Sequence, residues 1–139
     1  MKGRDVEFAG ETSGHLMFKE LKYSESTQLG LLKILKLLSI ERKTIDELVA
    51  PLDTWSYSGE INTPIKGWPD SVTPILAKLR AKFMDGEVNE LDGLRVDYED
   101  WWFLVRASGT EPVIRLLVEA KTKAMMDEKV AELQAMIEA

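Results

Sequence analysis

The chain has 139 residues, 45% of them hydrophobic and 30% charged, with a formal net charge of −6 and no cysteine. That is the make-up of one globular domain, or of one domain with a piece of another. The acidic balance argues against a nucleic-acid partner, the absence of thiols excludes disulfides and thiolate metal sites, and no apolar run nears the about 20 residues that span a bilayer.

No apolar h-region follows Met1-Lys2-Gly3-Arg4, so no membrane partner and a cytoplasmic location are expected. Val6-Glu7-Phe8-Ala9 reads as a short strand and Leu16-Met17-Phe18 as a second apolar segment. The turn between them, Gly10-Glu11-Thr12-Ser13-Gly14-His15, carries a carboxylate, a hydroxyl and the single histidine of the chain. A carboxylate and a hydroxyl two residues apart suit neighbouring sugar hydroxyls, which both donate and accept. The same residues also suit an ordinary hairpin loop with a surface histidine.

Residues 24–40 have helical spacing, with Leu31, Ile34, Leu35 and Leu38 as a stripe widened by Leu32, Leu37 and Ile40. Ser24 or Ser26 is the candidate cap. A face that broad requires burial: against the C-terminal domain, against a second copy of the chain by self-association through helix 24–40, or both. Thr44-Ile45-Asp46-Glu47 is a capping box that opens a short helix, closed by Pro51.

Residues 50–58 read as a linker, which divides the chain into domains at 1–50 and 51–139. A strand is predicted at 60–65 and a turn at Trp68-Pro69-Asp70-Ser71. The helix that follows carries Val72, Ile75, Leu76, Leu79 and Phe83 on one face, tolerates Pro74 in its first turn and stops at Gly86. Strands are expected at 87–91, 93–98, 101–105 and 113–120. Thr122 caps a last helix with Met126, Val130, Leu133 and Ile137 buried, and Met125, Met126 and Met136 read as core filler. The second domain is therefore α+β, with four or five short strands in a mainly antiparallel sheet and two helices on one face.

The turn between the last two strands, Arg106-Ala107-Ser108-Gly109-Thr110-Glu111-Pro112-Val113-Ile114-Arg115, holds the densest chemistry. Arginine offers a planar fork to phosphate oxygens, Ser108 and Thr110 offer hydroxyl donors, and Gly109 offers a positive φ that lets successive backbone N–H groups face an anion. Arg115 ranks as a weaker contact, because its neighbours Ile114 and Leu116 point to the opposite face. Spacing alone leaves a polar hairpin tip and an anion site equally open.

Arg-x-Ser-Gly-Thr-Glu-Pro-x-x-Arg resembles the phosphate-binding loop in the last domain of the α-D-phosphohexomutases, the phosphoglucomutase/phosphomannomutase family. Leu91-Asp92-Gly93-Leu94-Arg95-Val96-Asp97-Tyr98, Gly59-Glu60-Ile61-Asn62 and the Gly10 to His15 turn agree with the same family. The resemblance implies a TATA-box-binding-protein-like C-terminal domain at 51–139, preceded at 1–50 by the tail of the α/β sugar-binding domain. It implies that Arg106, Ser108, Gly109, Thr110 and Arg115 hold a phosphate, that Glu11 and Ser13 bind sugar hydroxyls, and that His15 serves proton transfer. It also implies a hexose phosphate substrate, Mg²⁺, and glucose 1,6-bisphosphate as activator in the parent enzyme. The family's nucleophilic-serine loop and Asp-x-Asp-x-Asp metal loop do not occur in this sequence, so no metal ligand is assigned to it. A C-terminal piece of a mutase, inactive by itself, is the expectation; a stand-alone phosphosugar-binding module is the alternative.

Overall fold

The apolar residues near the N-terminus pair into a small antiparallel sheet of order β1-β2-β3, comprising β1 (Phe8–Gly10), β2 (Leu16–Phe18) and β3 (Ser24–Glu25). The computed structural model describes residues 5–11 and 13–139; the Met1 to Arg4 stretch and Thr12 of the turn lie outside them. Two units are distinguished, Met1–Asp53 and Thr54–Ala139.

In the first unit, α1 spans Thr27–Glu41, three residues later than the predicted start. Ser24 and Glu25 are taken up by pairing with Phe18 and Met17, so the helix begins only after Ser26, whose hydroxyl accepts the Leu29 N–H at 3.2 Å. Helix α1 seats on the sheet through buried Gly30, where a Cβ would stand 2.3 Å from a Leu16 methyl. The outer face is open: Leu31, Leu32, Ile34, Leu35, Leu37 and Ile40 are exposed, and Leu38 is half-buried. Nothing among the described residues of the first unit covers this stripe. The short helix α2 (Ile45–Val49) has the anticipated capping box, with Thr44 and Glu47 each bonding the other's backbone N–H. The N–H groups of Leu52 and Asp53 then bond Val49 O, which ties residues 50–53 to α2, and the division between the units falls after Asp53, inside the stretch read as linker.

The second unit comprises β4 (Ser56–Tyr57), β5 (Ile61–Pro64), α3 (Val72–Lys82), β6 (Glu87–Asn89), β7 (Leu94–Asp97), β8 (Trp101–Ala107), β9 (Val113–Ala120) and α4 (Lys123–Glu138). The sheet is antiparallel, in the order β4-β9-β8-β7-β6, with β5 also paired to β9. It has six strands, against the four or five expected. The stretch read as linker supplies β4, which pairs Ser56 with Ala120.

Alternation along the two long strands decides the layers. Trp101, Phe103 and Val105 of β8 and Ile114, Leu116, Val118 and Ala120 of β9 point to one face and are buried with Leu79 and Phe83 at the α3 side and with Met126, Leu133 and Ile137 of α4. Each fully buried aliphatic or aromatic side chain contributes about 1.5–3 kcal/mol. Met125 and Met136 pack partly buried against this core. Helix α3 ends at Lys82, and Gly86 does not stop it. Instead Gly86 lies where a Cβ would come within 2.5 Å of Val96 and 2.8 Å of Tyr98, so glycine there permits close approach to β7.

The opposite face of the sheet carries charged side chains around the cross-strand pair of Leu104 and Leu117. The Arg95 guanidinium lies 4.0 Å from the Trp102 ring centroid and pairs with Asp97, while Trp102 Nε1–H donates to Glu119 at 2.7 Å. Arg106 and Arg115 belong to the same face.

Candidate functional site

The hairpin of β8 and β9 closes with Ser108 N–H donating to Val113 O at 3.0 Å and Val113 N–H to Glu111 O at 2.8 Å. Its register pairs Ala107 with Ile114 and Arg106 with Arg115. The two arginines are therefore direct cross-strand neighbours. Arg115 needs no curling of the loop to reach the side of Arg106. It faces away from Ile114 and Leu116 by the same alternation that gives Arg106 that face.

Like charges at such a position repel, and a carboxylate lies between them. Glu60 Oε2 is 3.4 Å from Arg106 Nη2, and Glu60 Oε1 is 3.3 Å from Arg115 Nη1. Asp92 Oδ2 reaches Arg106 Nη1 at 3.4 Å, and Glu111 Oε2 stands 3.8 Å from Arg115 Nη2. The side chains of Arg106, Arg115 and Glu60 are about one third exposed or less, whereas Asp92 and Glu111 are 74% and 66% exposed. Both Nε atoms, of Arg106 and of Arg115, are buried and find no acceptor among the described residues. The outer Nη groups, paired only to the mostly exposed Asp92 and Glu111, are the donors that an anion with several oxygens can approach.

The other loop residues divide. Ser108 is 5% exposed, and its Oγ accepts the N–H groups of Glu111 at 3.2 Å and Thr110 at 3.4 Å. It braces the turn from inside, and the backbone N–H groups of Thr110 and Glu111, next to Gly109, are aimed at it. Gly109 and Thr110 are exposed at the tip. Gly109 is not among the residues with positive φ, so the expected left-handed turn is absent, because the Ser108 brace closes the loop without it. Nothing stands within 4 Å of a Cβ built at Gly109, which leaves its backbone open to approach.

The glycine that the site does require is Gly93, at φ +86°. A Cβ there would meet Val105 O at 2.5 Å and Arg106 Cβ at 2.7 Å, so the turn before β7 packs directly onto the root of Arg106.

The sequence reading assigned no role to Glu60, Asp92 or Gly93. Glu60 lies 46 residues before Arg106 and joins it only because β5 runs along the free edge of β9. Ser58 Oγ accepts the Val118 N–H at 2.9 Å, Gly59 turns at φ +71°, and Glu60 then enters the strand with Ile61 opposite Leu116. Ile61 and Thr63 share the core side, so Glu60 and Asn62 face the arginines. The Arg106–Arg115 pair did have a legible signal, since the two arginines flank the loop centre at equal distance.

In the first unit, the turn after β1 draws together the other predicted residues. Ser13 Oγ–H donates to Glu11 Oε2 at 3.0 Å, and Ser13 Oγ lies 2.8 Å from His15 Nδ1. With the serine hydrogen given to Glu11, the imidazole donates from Nδ1 and leaves Nε2 facing Glu25 Oε2 at 3.7 Å. Glu25, a position assigned no function from sequence, is brought there by the β2–β3 pairing of Met17 with Glu25. The turn is exposed, held by Glu11 N–H to His15 O at 2.9 Å, and Gly14 takes φ +88°. Among the described residues no group of three or more His, Asp or Glu side chains is placed to hold a metal ion, and no helix is long and apolar enough to cross a membrane.

Comparison with known proteins matches this arrangement to one family. Residues 60–138 fit the model of the phosphoglucomutase/phosphomannomutase C-terminal domain. The chain is 41% identical over 133 residues to a phosphomannomutase of Methanocaldococcus jannaschii, covering 96% of the chain and 29% of that protein. It is 30% identical to a phosphomannomutase of Escherichia coli, covering 99% of the chain and 30% of that protein. A crystal structure of a phosphoglucomutase/phosphomannomutase family protein from Burkholderia thailandensis superposes with a TM-score of 0.68 at 32% identity, over 98% of the chain and 29% of that structure. The chain thus spans just under a third of the length of these relatives.

Proposed function

Because this chain belongs to the phosphoglucomutase/phosphomannomutase family, we propose that it supplies the substrate-gripping parts of a phosphohexomutase. Arg106 and Arg115 bind the phosphate of a hexose phosphate that is not reacting, with Gly109, Thr110 and the braced Ser108 shaping the approach. Glu11 and Ser13 bind sugar hydroxyls, and His15 handles a proton. The observation that carries this reading is the cross-strand arginine pair, which sets two guanidiniums side by side at the root of the loop.

The chemistry served is transfer of a phosphoryl group between positions 1 and 6 of the hexose, with a bisphosphate intermediate that reorients. Two guanidiniums held on one sheet convert binding energy at the remote phosphate into orientation at the reacting end. A magnesium ion and glucose 1,6-bisphosphate belong to the proposed parent activity. This chain presents no ligand set for a metal among its described residues.

Titration of the chain with glucose 6-phosphate, followed by amide chemical shifts, tests the reading. Shifts are expected at residues 106–115, and Arg106→Ala is expected to remove them. In the full-length enzyme the same substitution should lower kcat/KM by about 2–4 kcal/mol of transition-state stabilisation, the scale of losing one partner from a desolvated charge pair. A chain that binds no phosphosugar, or an Arg106→Ala variant with unchanged kcat/KM, would leave the loop a plain hairpin.

A further inference from the structure

The phosphate grip carries more negative than positive charge. Two arginines face three carboxylates, those of Glu60, Asp92 and Glu111. An incoming phosphate dianion meets a cluster that is already neutralised, so binding requires some of these carboxylates to give way. Geometry distinguishes them. Glu60 is two-thirds buried, sits at the start of a strand paired to β9, and divides its two oxygens between the two guanidiniums. Asp92 and Glu111 each touch one arginine from the rim and are mostly in solvent.

Building on the phosphate reading above, we propose that Glu60 is a positioning residue that holds Arg106 and Arg115 together as one two-pronged grip, and that Asp92 and Glu111 are exchangeable counter-ions that the phosphate displaces. Without Glu60, two like charges on directly opposed positions repel and splay, because the cross-strand distance is short. With Glu60 in place both forks share one anchor, and each keeps an outward side for the ligand. Displacement of the rim carboxylates offsets part of the binding energy. That weakens the hold on the phosphate and suits a substrate that must let go and turn round between half-reactions.

The carboxylates therefore act in opposite directions, and this is what the experiment reads. Titrate the wild-type chain, Glu60→Gln, Glu60→Asp and the double variant Asp92→Asn/Glu111→Gln with glucose 6-phosphate by calorimetry. Glu60→Gln is expected to weaken binding about fivefold, the scale of a partly exposed ion pair, with partial rescue in Glu60→Asp. The rim double variant is expected to tighten binding by a similar factor, and a stability loss would not produce that sign. In the ligand-free chain, the Nε–H resonances of Arg106 and Arg115 should be distinct and protected, and Glu60→Gln should broaden both.

Unchanged or weaker binding in the rim variant overturns the exchange. Unchanged arginine resonances and affinity in Glu60→Gln overturn the positioning role. Absence of binding by the wild-type chain overturns the phosphate reading itself and this proposal with it. Should Glu60→Gln lower Tm, the rim variant still decides the sign, since its residues lie at the exposed edge.

Discussion

At the scale of single residues, two glycines of the site differ in kind. Gly93 holds φ +86° and has no room for a Cβ, with Val105 O 2.5 Å away. Gly93→Ala should destabilise the second unit by about 1–3 kcal/mol in chemical denaturation, and should move Arg106 even where the fold survives. Gly109 has open space and no positive φ, so Gly109→Ala should leave stability within about 0.5 kcal/mol. Its effect on phosphosugar titration then isolates a role in ligand approach. Arg106→Lys should restore only part of the binding lost in Arg106→Ala, because an ammonium cannot address Glu60 and a phosphate together from one planar fork.

At the scale of elements, the capping box of α2 shows how four residues settle a local structure. Thr44 N–H donates to Glu47 Oε2 at 2.7 Å, Thr44 Oγ–H donates to the same oxygen at 3.1 Å, and Glu47 N–H returns to Thr44 Oγ1 at 3.3 Å. These donors favour the charged carboxylate, and the Glu47 carboxyl is held below the ordinary glutamate range, first by the backbone N–H and then by the hydroxyl. A lowered acid stabilises the folded form above the unfolded value and loses that contribution as pH falls. Helix α2 should therefore fray as the solution is acidified below about pH 4.3, visible as movement of the Thr44 amide resonance. Thr44→Ala should cost about 1 kcal/mol of local stability and reduce that pH dependence without abolishing it, because the backbone N–H that donates to Glu47 Oε2 remains.

At the scale of the molecule, the first unit displays an apolar helix face. Leu31, Leu32 and Ile40 are more than half exposed, and Ile34, Leu35 and Leu37 nearly so. Contiguous patches of this kind are uncommon on soluble monomers. The chain taken alone is expected to self-associate through α1 in sedimentation equilibrium, and Leu35→Lys is expected to shift it toward monomer. A monomeric wild-type chain at high concentration would count against that route. The second unit, by contrast, encloses its own core between one sheet face and two helices, with Phe103, Val105, Leu116 and Leu133 fully buried.

What was determined by the sequence alone is what depends on near neighbours. The apolar aromatic and β-branched run of residues 101–105, the period-two alternation of 113–120, the helical stripe of Met126, Val130, Leu133 and Ile137, the capping box and the polar turn within 106–115 are patterns within a few residues of each other. Each appears in the structure as the expected kind of element. The tertiary structure decided what those elements meet. Two residues inside an apparent linker became β4 because β9 had a free edge for Ser56 and Tyr57. Ser108 turned inward because the N–H groups of Thr110 and Glu111 required an acceptor. Glu60 came between Arg106 and Arg115 because β5 completes that same edge from 46 residues away. A charge pattern read along the chain shows which groups are available; only pairing of distant strands brings the carboxylate to the two guanidiniums it neutralises.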